Sequence, residues 1–436
     1  MVNRLINTDW VARLTKYRHL YVGFSGGVDS TVLLHQLIAY DQLRNKITAI
    51  HINHGLNQSA LDWQKHCQQF CHDHQVNLII KPVEFERTAN IEENARNARM
   101  QAFSTLLTAD DSLLLAHHQD DQAETLLLQL FRGAGIDGLA AMSEQQLFAK
   151  FTVCRPLLCL SKQQLLNYAA LNDLKWVEDD SNRDIHYARN YIRQSVMPIL
   201  KAKWPSVVTS LARSAIHCQQ AQKNLSDLAK IDCNILPNAG PLLPLIGLSS
   251  LSRARLTNVI RSWLANNKIR LPSTVILTRV IDELILPADD LLRVVEWGTI
   301  KVQRSQQCLY LLEKNRCSFQ NICWFDFPKS ILIPGLGHLH ASVVATSGIY
   351  VPKDSHVEVR FRQGGELFIW HKQKKQLKKL MQMWKIPCWQ RQEIPLIYID
   401  GILAVIVGFA VSDLFYRKPG ILKEHYYCIE LERLVS

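Results

Sequence analysis

Ser25-Gly26-Gly27-Val28-Asp29-Ser30 follows an apolar run at residues 20–24 and precedes a stretch with helical spacing at 31–40. A strand that feeds a helix through small residues makes an anion site. The helix offers unbonded N–H groups, the glycines admit close approach, and the serine hydroxyls flank the anion. No G-K-[ST] is present, so this is not the loop that reaches a γ-phosphate. The simplest anion for it is pyrophosphate, held by Ser25, Gly26, Gly27, Val28, Asp29 and Ser30, with Asp29 also placed to hold Mg²⁺ against the phosphates. The competing reading is a plain strand-to-helix turn.

Outward from this loop, apolar runs at 47–52, 78–83 and 113–116 alternate with helical stretches at 59–75, 92–107 and 119–131. Strands alternating with helices indicate βαβ units and a parallel sheet. The strands are continuously apolar, as a sheet covered on both faces requires. The expected fold class is α/β: a Rossmann-like parallel-sheet domain, then a mostly helical domain, then a small α+β domain. The expected limits are 1–215, 216–340 and 341–436. Residues 162–232 read as mostly helical. Residues 234–247, with three Pro and two Gly, read as a linker, and 334–337 as a second break. In the last part, β-like runs at 356–370 and 394–411 flank a basic stretch read as helical.

The chain has 436 residues, with 50 Lys+Arg against 39 Asp+Glu, a net charge of +11. Residues 1–215 carry 22 basic and 21 acidic side chains, while 216–340 and 341–436 each carry 14 and 9. Ten of the eleven excess charges therefore lie in the second half, which suits chemistry first and a grip on a polyanion second. The apolar run at 402–411 is about half a membrane span, and residues 1–14 lack the form of an export signal. No membrane association is expected. Eleven scattered cysteines without an export signal fit reduced thiols in the cytoplasm.

Further motifs lie where ligands bind in parallel sheets, beyond the carboxyl ends of strands. His51-Ile52-Asn53-His54 ends the second run, and Arg96 and Arg99 share a helix face. The fourth run ends in Ala116-His117-His118-Gln119-Asp120-Asp121-Gln122-Ala123-Glu124. Asp120 and Glu124, at i,i+4 with Asp121 beside them, read as an unpaired acidic cluster that needs a cation, either Mg²⁺ or a substrate ammonium. The competing reading is an acidic first turn favoured by the helix dipole. Arg132-Gly133-Ala134-Gly135-Ile136-Asp137-Gly138 formally matches a dinucleotide fingerprint, but it follows a helix instead of a strand, which excludes that reading. Arg155-Pro156-Leu157-Leu158, Asp179-Asp180-Ser181-Asn182 and Arg189-Asn190-Tyr191-Ile192-Arg193 complete the series. The Arg pair suits phosphate or RNA backbone.

The hexapeptide at 25–30 resembles that of the PP-loop ATP pyrophosphatases. The whole ordered series resembles the tRNA(Ile)-lysidine synthetase family, with two departures: Asn57 where many members place Arg, and Met100 where they place Tyr. The resemblance implies a ligase that uses ATP and Mg²⁺ to join free L-lysine to C2 of the wobble cytidine in a CAU-anticodon tRNA(Ile). Asp29, Asp120, Asp121, Glu124 and Arg189 are the implied catalytic residues, and Asp120, Asp121 and Glu124 are candidates for lysine capture. His51, His54, Arg96, Arg99, His117, Arg132, Arg155, Asn190 and Arg193 are implied substrate contacts. Arg132, Arg155, Arg189 and Arg193 are assigned to adenylate and RNA phosphates.

Lys372, Lys374, Lys375, Lys378 and Lys379 form a basic run flanked by Trp370, Trp384 and Trp389. Lysines supply phosphate contacts and aromatics stack on unpaired bases, so Lys374, Lys375, Lys378 and Lys379 are further tRNA contacts. A solvated face with buried Trp is the alternative. Two rivals remain: another PP-loop enzyme such as a thiolase or NAD synthetase, and a noncatalytic RNA-binding protein. No C-x-x-C serves sulfur insertion, and Cys67 and Cys71 lack the second ligand pair that a zinc site needs.

Overall fold

The computed structural model describes residues 4–53, 60–83, 91–148, 150–178, 184–233, 240–287, 293–314, 319–344, 347–417 and 425–433. The chain divides into two compact units, Met1–Asp227 and Leu228–Ser436. The expected boundary at 215/216 falls inside one long helix, Val207–Cys233.

The first unit is built on a six-stranded sheet. Its strands are β1 (Leu20–Gly23), β2 (Ile47–Asn53), β3 (Asn77–Pro82), β4 (Ser112–Leu114), β5 (Gln145–Phe148) and β6 (Phe151–Cys154), in the order β3-β2-β1-β4-β6-β5. All pairings are parallel except that of β5 with β6. The helices are α1 (Thr8–Leu14), α2 (Val28–Ile38), α3 (Asp41–Arg44), α4 (Ala60–Asp73), α5 (Ile91–Leu106), α6 (Gln119–Phe131), α7 (Ile136–Leu139), α8 (Lys162–Leu171), α9 (Ala188–Tyr191), α10 (Met197–Lys203) and α11 (Val207–Cys233).

Both faces of the sheet are covered, and the alternation along each strand shows how. Leu20 and Val22 of β1 join Leu33, Leu34 and Leu37 of α2 in one core, while Tyr21 packs against the other. In β4, Leu114 faces the first core, and Leu113 joins Ile50, Phe103 and Phe151 in the second. Successive side chains point to opposite faces, so a doubly covered strand must be apolar throughout. β1 has β2 on one side and β4 on the other, and it is here that strand order reverses. The crevice beyond these carboxyl ends is where such sheets bind ligands. It receives Ser25–Ser30 from β1 and His117–Asp121 from β4.

The second unit opens with a helical region that also contains a sheet. Helices α12 (Arg253–Asn266) and α13 (Thr274–Arg279) pack on four antiparallel strands: β7 (Leu242–Pro244), β8 (Val294–Trp297), β9 (Ile300–Ser305) and β10 (Cys308–Glu313). Trp263, Val259, Leu284, Val302 and Leu309 share its core. The expected helical domain has these helices, but it does not foresee the strands, which are three to six residues long and include Lys301, Gln303 and Arg304. The described part of the expected 234–247 linker contains β7; residues 234–239 lie outside the described residues.

The C-terminal part is α+β, with two five-stranded sheets, a two-stranded hairpin and helix α14 (Leu377–Met383). The basic stretch read as helical is corrected. Lys374 and Lys375 lie on the strand Gln373–Gln376, paired with Leu367–Trp370, and only Lys378 and Lys379 are helical. His371 and Lys372 link these strands with φ of 50° and 61°, the two positive values that a tight two-residue hairpin turn requires. Among the described residues, no helix is long and apolar enough to cross a membrane.

Candidate active site

The loop after β1 has the geometry that its residues suggest. Gly26 adopts φ of +83°, in the left-handed region that favours glycine. Its carbonyl accepts from Val177 N at 2.9 Å. A Cβ added at Gly26 would lie 3.0 Å from Cys67 Sγ and 3.1 Å from Val177 Cγ2. Gly27 caps α2 without any side-chain bond to the helix. The hydroxyls of Ser25 and Ser30 lie 3.1 Å apart across the loop, and Ser30 Oγ donates to Gly27 O at 3.0 Å. The result is a cradle of hydroxyl groups at a helix N-terminus, the dipole end that favours an anion.

β4 delivers His117, His118 and the start of α6 beside this cradle. His118 is 3% exposed and faces three carboxylates: Asp29 Oδ2 at 3.7 Å, Asp121 Oδ2 at 3.4 Å and Asp120 Oδ2 at 3.9 Å. Burial lowers the His118 pKa, but Asp29 and Asp121 outweigh it and raise it overall. Lys162 Nζ donates to Asp29 Oδ1 at 2.7 Å. Burial pushes the Asp29 carboxyl up, yet His118 and Lys162 together leave it below its ordinary value.

The acidic cluster is paired, which corrects the sequence reading of unpaired carboxylates. Asp120 accepts from Lys162 N at 3.0 Å and from Lys201 Nζ at 2.8 Å. Asp121 Oδ1 accepts from Arg189 at 2.9 Å and Arg193 at 3.2 Å. Glu124, 2% exposed, accepts from Arg189 Nε at 2.9 Å and from Arg193 at 2.7 and 2.8 Å. Burial raises Asp121, but His118 and Arg189 bring it down to about 2. Asp29, Asp120, Asp121 and Glu124 thus face Lys162, Lys201, Arg189 and Arg193. Arg189 and Arg193, read as phosphate contacts, are engaged with carboxylates here. Arg193 sits in a π-helical turn, Ile192–Val196, a local irregularity that recurs at functional sites.

Arg155 also differs from its sequence reading. It is 4% exposed, donates to Ser143 O at 2.8 Å and directs Nε to His117 Nδ1 at 3.3 Å. A guanidinium only donates, so the His117 proton sits on Nε2. Burial pushes His117 down to about 3. Asp121 opposes this shift, and Arg155, Arg189 and Arg96 reinforce it. His117 is therefore neutral, and Arg155 is its buried support.

His51 is 5% exposed, and its Nδ1 bonds Phe24 O at 3.0 Å, just before the phosphate loop. Arg96 and Arg99 lie exposed on α5, and Arg132 lies exposed at the end of α6. Asn190 Nδ2 donates to Asp184 O at 2.9 Å. His54, Asn57 and Asp179 to Asn182 lie outside the described residues. Cys67 and Cys71 are buried thiols that burial pushes up to about 12, which suits packing more than metal binding.

Comparison with known proteins follows the same layout. A PP-loop domain model matches residues 2–200, a TilS substrate binding domain model matches 243–310, and a TilS substrate C-terminal domain model matches 357–423. The tRNA(Ile)-lysidine synthase of Legionella pneumophila (strain Lens) is 48% identical over 95% of this chain and 97% of its own. That of Coxiella burnetii (strain RSA 493 / Nine Mile phase I) is 39% identical over 94% and 93%.

The chain belongs to the tRNA(Ile)-lysidine synthase family.

The Yersinia pestis tRNA(Ile)-lysidine synthase is 37% identical over 97% of this chain and 95% of its own. As a member of this family, the chain is a ligase that forms a carbon–nitrogen bond. Three residues at the site of this chain escaped the sequence reading: His118, Lys162 and Lys201. A signal for Lys162 was present. Ser161 and Gln164 form a capping box that starts α8, placing Lys162 at the first helical position with its N–H turned to Asp120. Lys201 had no such signal, because it arrives from α10, 81 residues beyond Asp120.

Proposed function

We propose that this member of the tRNA(Ile)-lysidine synthase family uses ATP to adenylate the C2 oxygen of the wobble cytidine in a CAU-anticodon tRNA(Ile), then joins free L-lysine to that carbon. The cytidine oxygen attacks the α-phosphorus and pyrophosphate leaves. The lysine ε-amine then attacks C2, AMP leaves with the oxygen, and the amine gives up a proton. The observation that carries this reading is the junction of two sites at one crevice: the Ser25–Ser30 cradle and the Asp121–Glu124 pair, bridged by His118 between Asp29 and Asp121.

Each group has a task. The cradle takes the pyrophosphate. Asp29, anionic and next to the cradle, fits Mg²⁺, which needs only one or two carboxylates beside substrate phosphates. When bound, the ion neutralises charge on the departing pyrophosphate. Lys162 adds a second cation at the same carboxylate. Asp121, held at about 2, remains ionised and suits an anchor for the lysine ammonium better than a proton acceptor. Glu124 joins Asp121 in holding the lysine ammonium, and Arg189 and Arg193, released as that cation enters, turn toward phosphate.

The three-part division at 1–215, 216–340 and 341–436 is retained as a functional proposal. The first part carries chemistry; the other two, each with net charge +5, hold tRNA. Lys374, Lys378 and Lys379 are exposed, and Lys375 Nζ lies 5.2 Å above the Trp370 ring. A cytoplasmic tRNA substrate places the enzyme in the cytoplasm.

The direct test incubates the protein with ATP, Mg²⁺, labelled lysine and candidate tRNAs. Label should enter only CAU-anticodon tRNA(Ile). Label in no tRNA, or in tRNAs regardless of anticodon, refutes the reading. Pyrophosphate exchange that requires CAU tRNA separates an enzyme from a mere RNA binder.

A further inference from the structure

Far from the catalytic chemistry in sequence, the C-terminal α+β region brings three metal-ligating side chains onto one sheet face. The strand Ile322–Cys323 pairs antiparallel with Val357–Arg360, and the register sets Cys323 directly opposite Glu358. Residues directly opposite on such strands have Cβ atoms about 5 Å apart on the same face. His356 precedes Glu358 by two residues, so it shares that face. Sulfur, imidazole and carboxylate therefore converge by strand geometry. Among the described residues, this is the one group of three such ligand atoms within 4.8 Å of one another.

The distances are near those in the ligand shell of a small ion, one within its range and one slightly wider. Cys323 Sγ lies 3.9 Å from His356 Nε2, and His356 Nε2 lies 3.4 Å from Glu358 Oε1. Tetrahedral zinc with bonds of about 2.0–2.3 Å needs ligand atoms roughly 3.3–3.7 Å apart. The supports are also in place. Arg360 holds the other Glu358 oxygen, Oε2, leaving Oε1 for the ion. Arg360 in turn lies over the Tyr398 ring at 4.5 Å. His356 N donates to Asp400 Oδ1 at 2.8 Å, and Asp400 N donates back to His356 O at 2.9 Å. This reciprocal clamp fixes the start of the strand. Such outer contacts orient ligands in metal sites.

We propose that Cys323, His356 and Glu358 form a site for a borderline divalent cation of the zinc type, with a fourth position open to water. Thiolate and imidazole select such an ion over Mg²⁺ or Ca²⁺, which prefer all-oxygen shells. One thiolate and one carboxylate neutralise its charge. Binding releases the Cys323 proton to solvent as the metal–sulfur bond forms. His356 is half-exposed, so an ion reaches the site from solvent. The ion would tie two strands of one sheet together, and the proposal does not depend on the catalytic reading.

The test uses the full-length protein, reduced and stripped of metal. Zn²⁺ uptake is followed by equilibrium dialysis, and Co²⁺ binding by its thiolate charge-transfer absorption. One ion per chain and a thiolate–cobalt band are expected. Cys323→Ser should abolish the band and weaken zinc binding about 100-fold or more, with Glu358→Gln costing about 10-fold, since even outer contacts cost 10–100-fold. Cys428→Ser, at a thiol outside the cluster, should change nothing. Absence of the band in the unaltered protein overturns the proposal without any variant. So does a band that survives Cys323→Ser.

Discussion

Lys162 Nζ lies 2.7 Å from Asp29 Oδ1, joining the first residue of α8 to the aspartate of the phosphate loop across 133 residues of sequence. The same residue donates its backbone N–H to Asp120 Oδ2 at 3.0 Å. One position thus holds a carboxylate from each half of the crevice. The first prediction concerns this link. Lys162→Met should lower the rate of tRNA-dependent ATP–pyrophosphate exchange at limiting ATP by roughly 10- to 100-fold, the equivalent of one charged hydrogen bond. Exchange kinetics at varied ATP check it, and lysine dependence should change little.

Glu124→Gln keeps shape and removes charge. It should raise the lysine requirement more than the ATP requirement, because the loop that takes the nucleotide is untouched. Steady-state kinetics with each substrate varied decide it, and unchanged lysine kinetics contradict the assignment. Glu124→Ala removes one of the two carboxylates that hold Arg189 and Arg193, so it should cost about 3 kcal/mol in urea unfolding, at the low end for a broken buried pair because both arginines keep Asp121 and reach solvent.

Gly26→Ala forces a side chain into the left-handed region and against Cys67 Sγ and Val177 Cγ2. The cost is about 1–3 kcal/mol of strain at the loop. A lower melting temperature with a disproportionate loss of pyrophosphate exchange is expected. Gly133→Ala is a control that separates strain from clash: its φ is +68°, with nothing within 4 Å of the added carbon.

The pH dependence of stability has opposing parts. His117 is depressed to about 3, so the unfolded chain binds a proton that the folded chain refuses. Its contribution is present above the ordinary histidine value and is lost as pH falls from about 6.5 toward 3. Asp121, depressed to about 2, adds a loss that begins only below the ordinary carboxylate value, near pH 4. His118 is raised, so its contribution is full below about 6.5 and fades as pH rises through its folded value. His117→Gln, which can still accept from Arg155, should therefore flatten the loss between pH 6.5 and 4 by up to about 1.4 kcal/mol per pH unit. Urea midpoints across that range measure it. A slope unchanged by the substitution would contradict a neutral His117.

Lys378→Ala with Lys379→Ala removes two exposed charges from α14. If both meet phosphate, tRNA affinity falls and the slope of log affinity against log salt becomes shallower by about 2. Filter binding across salt concentrations reads the slope. An unchanged slope places the tRNA elsewhere.

The catalytic unit was legible because its information is local. Apolar runs and helical spacing set β1 to β4 and α4 to α6 within a few residues, and Gly26, Gly27, Ser25 and Ser30 announce an anion cradle whatever lies around them. The strands β5 and β6, and β7 to β10 of the region read as helical, were missed. They are short, and Lys301, Gln303 and Arg304 break the apolar pattern, with Gln303 and Arg304 meeting Cys388 and the Leu284 carbonyl only in the folded chain.

By itself the sequence determined the parallel α/β unit, the phosphate loop, the order of the motifs and the basic second half. Each depends on neighbours within a turn, a strand or a short loop. Tertiary structure alone decided the pairing of charges. A carboxylate spacing of i,i+4 predicts repulsion only until a distant segment supplies cations. Here α8, α9, the turn after it and α10 bring Lys162, Arg189, Arg193 and Lys201 to Asp29, Asp120, Asp121 and Glu124. The same holds for Arg155, whose charge suggested phosphate but whose burial makes it the support of His117. Charge is written in the residue, whereas its partner and its dielectric surroundings exist only once remote segments pack together.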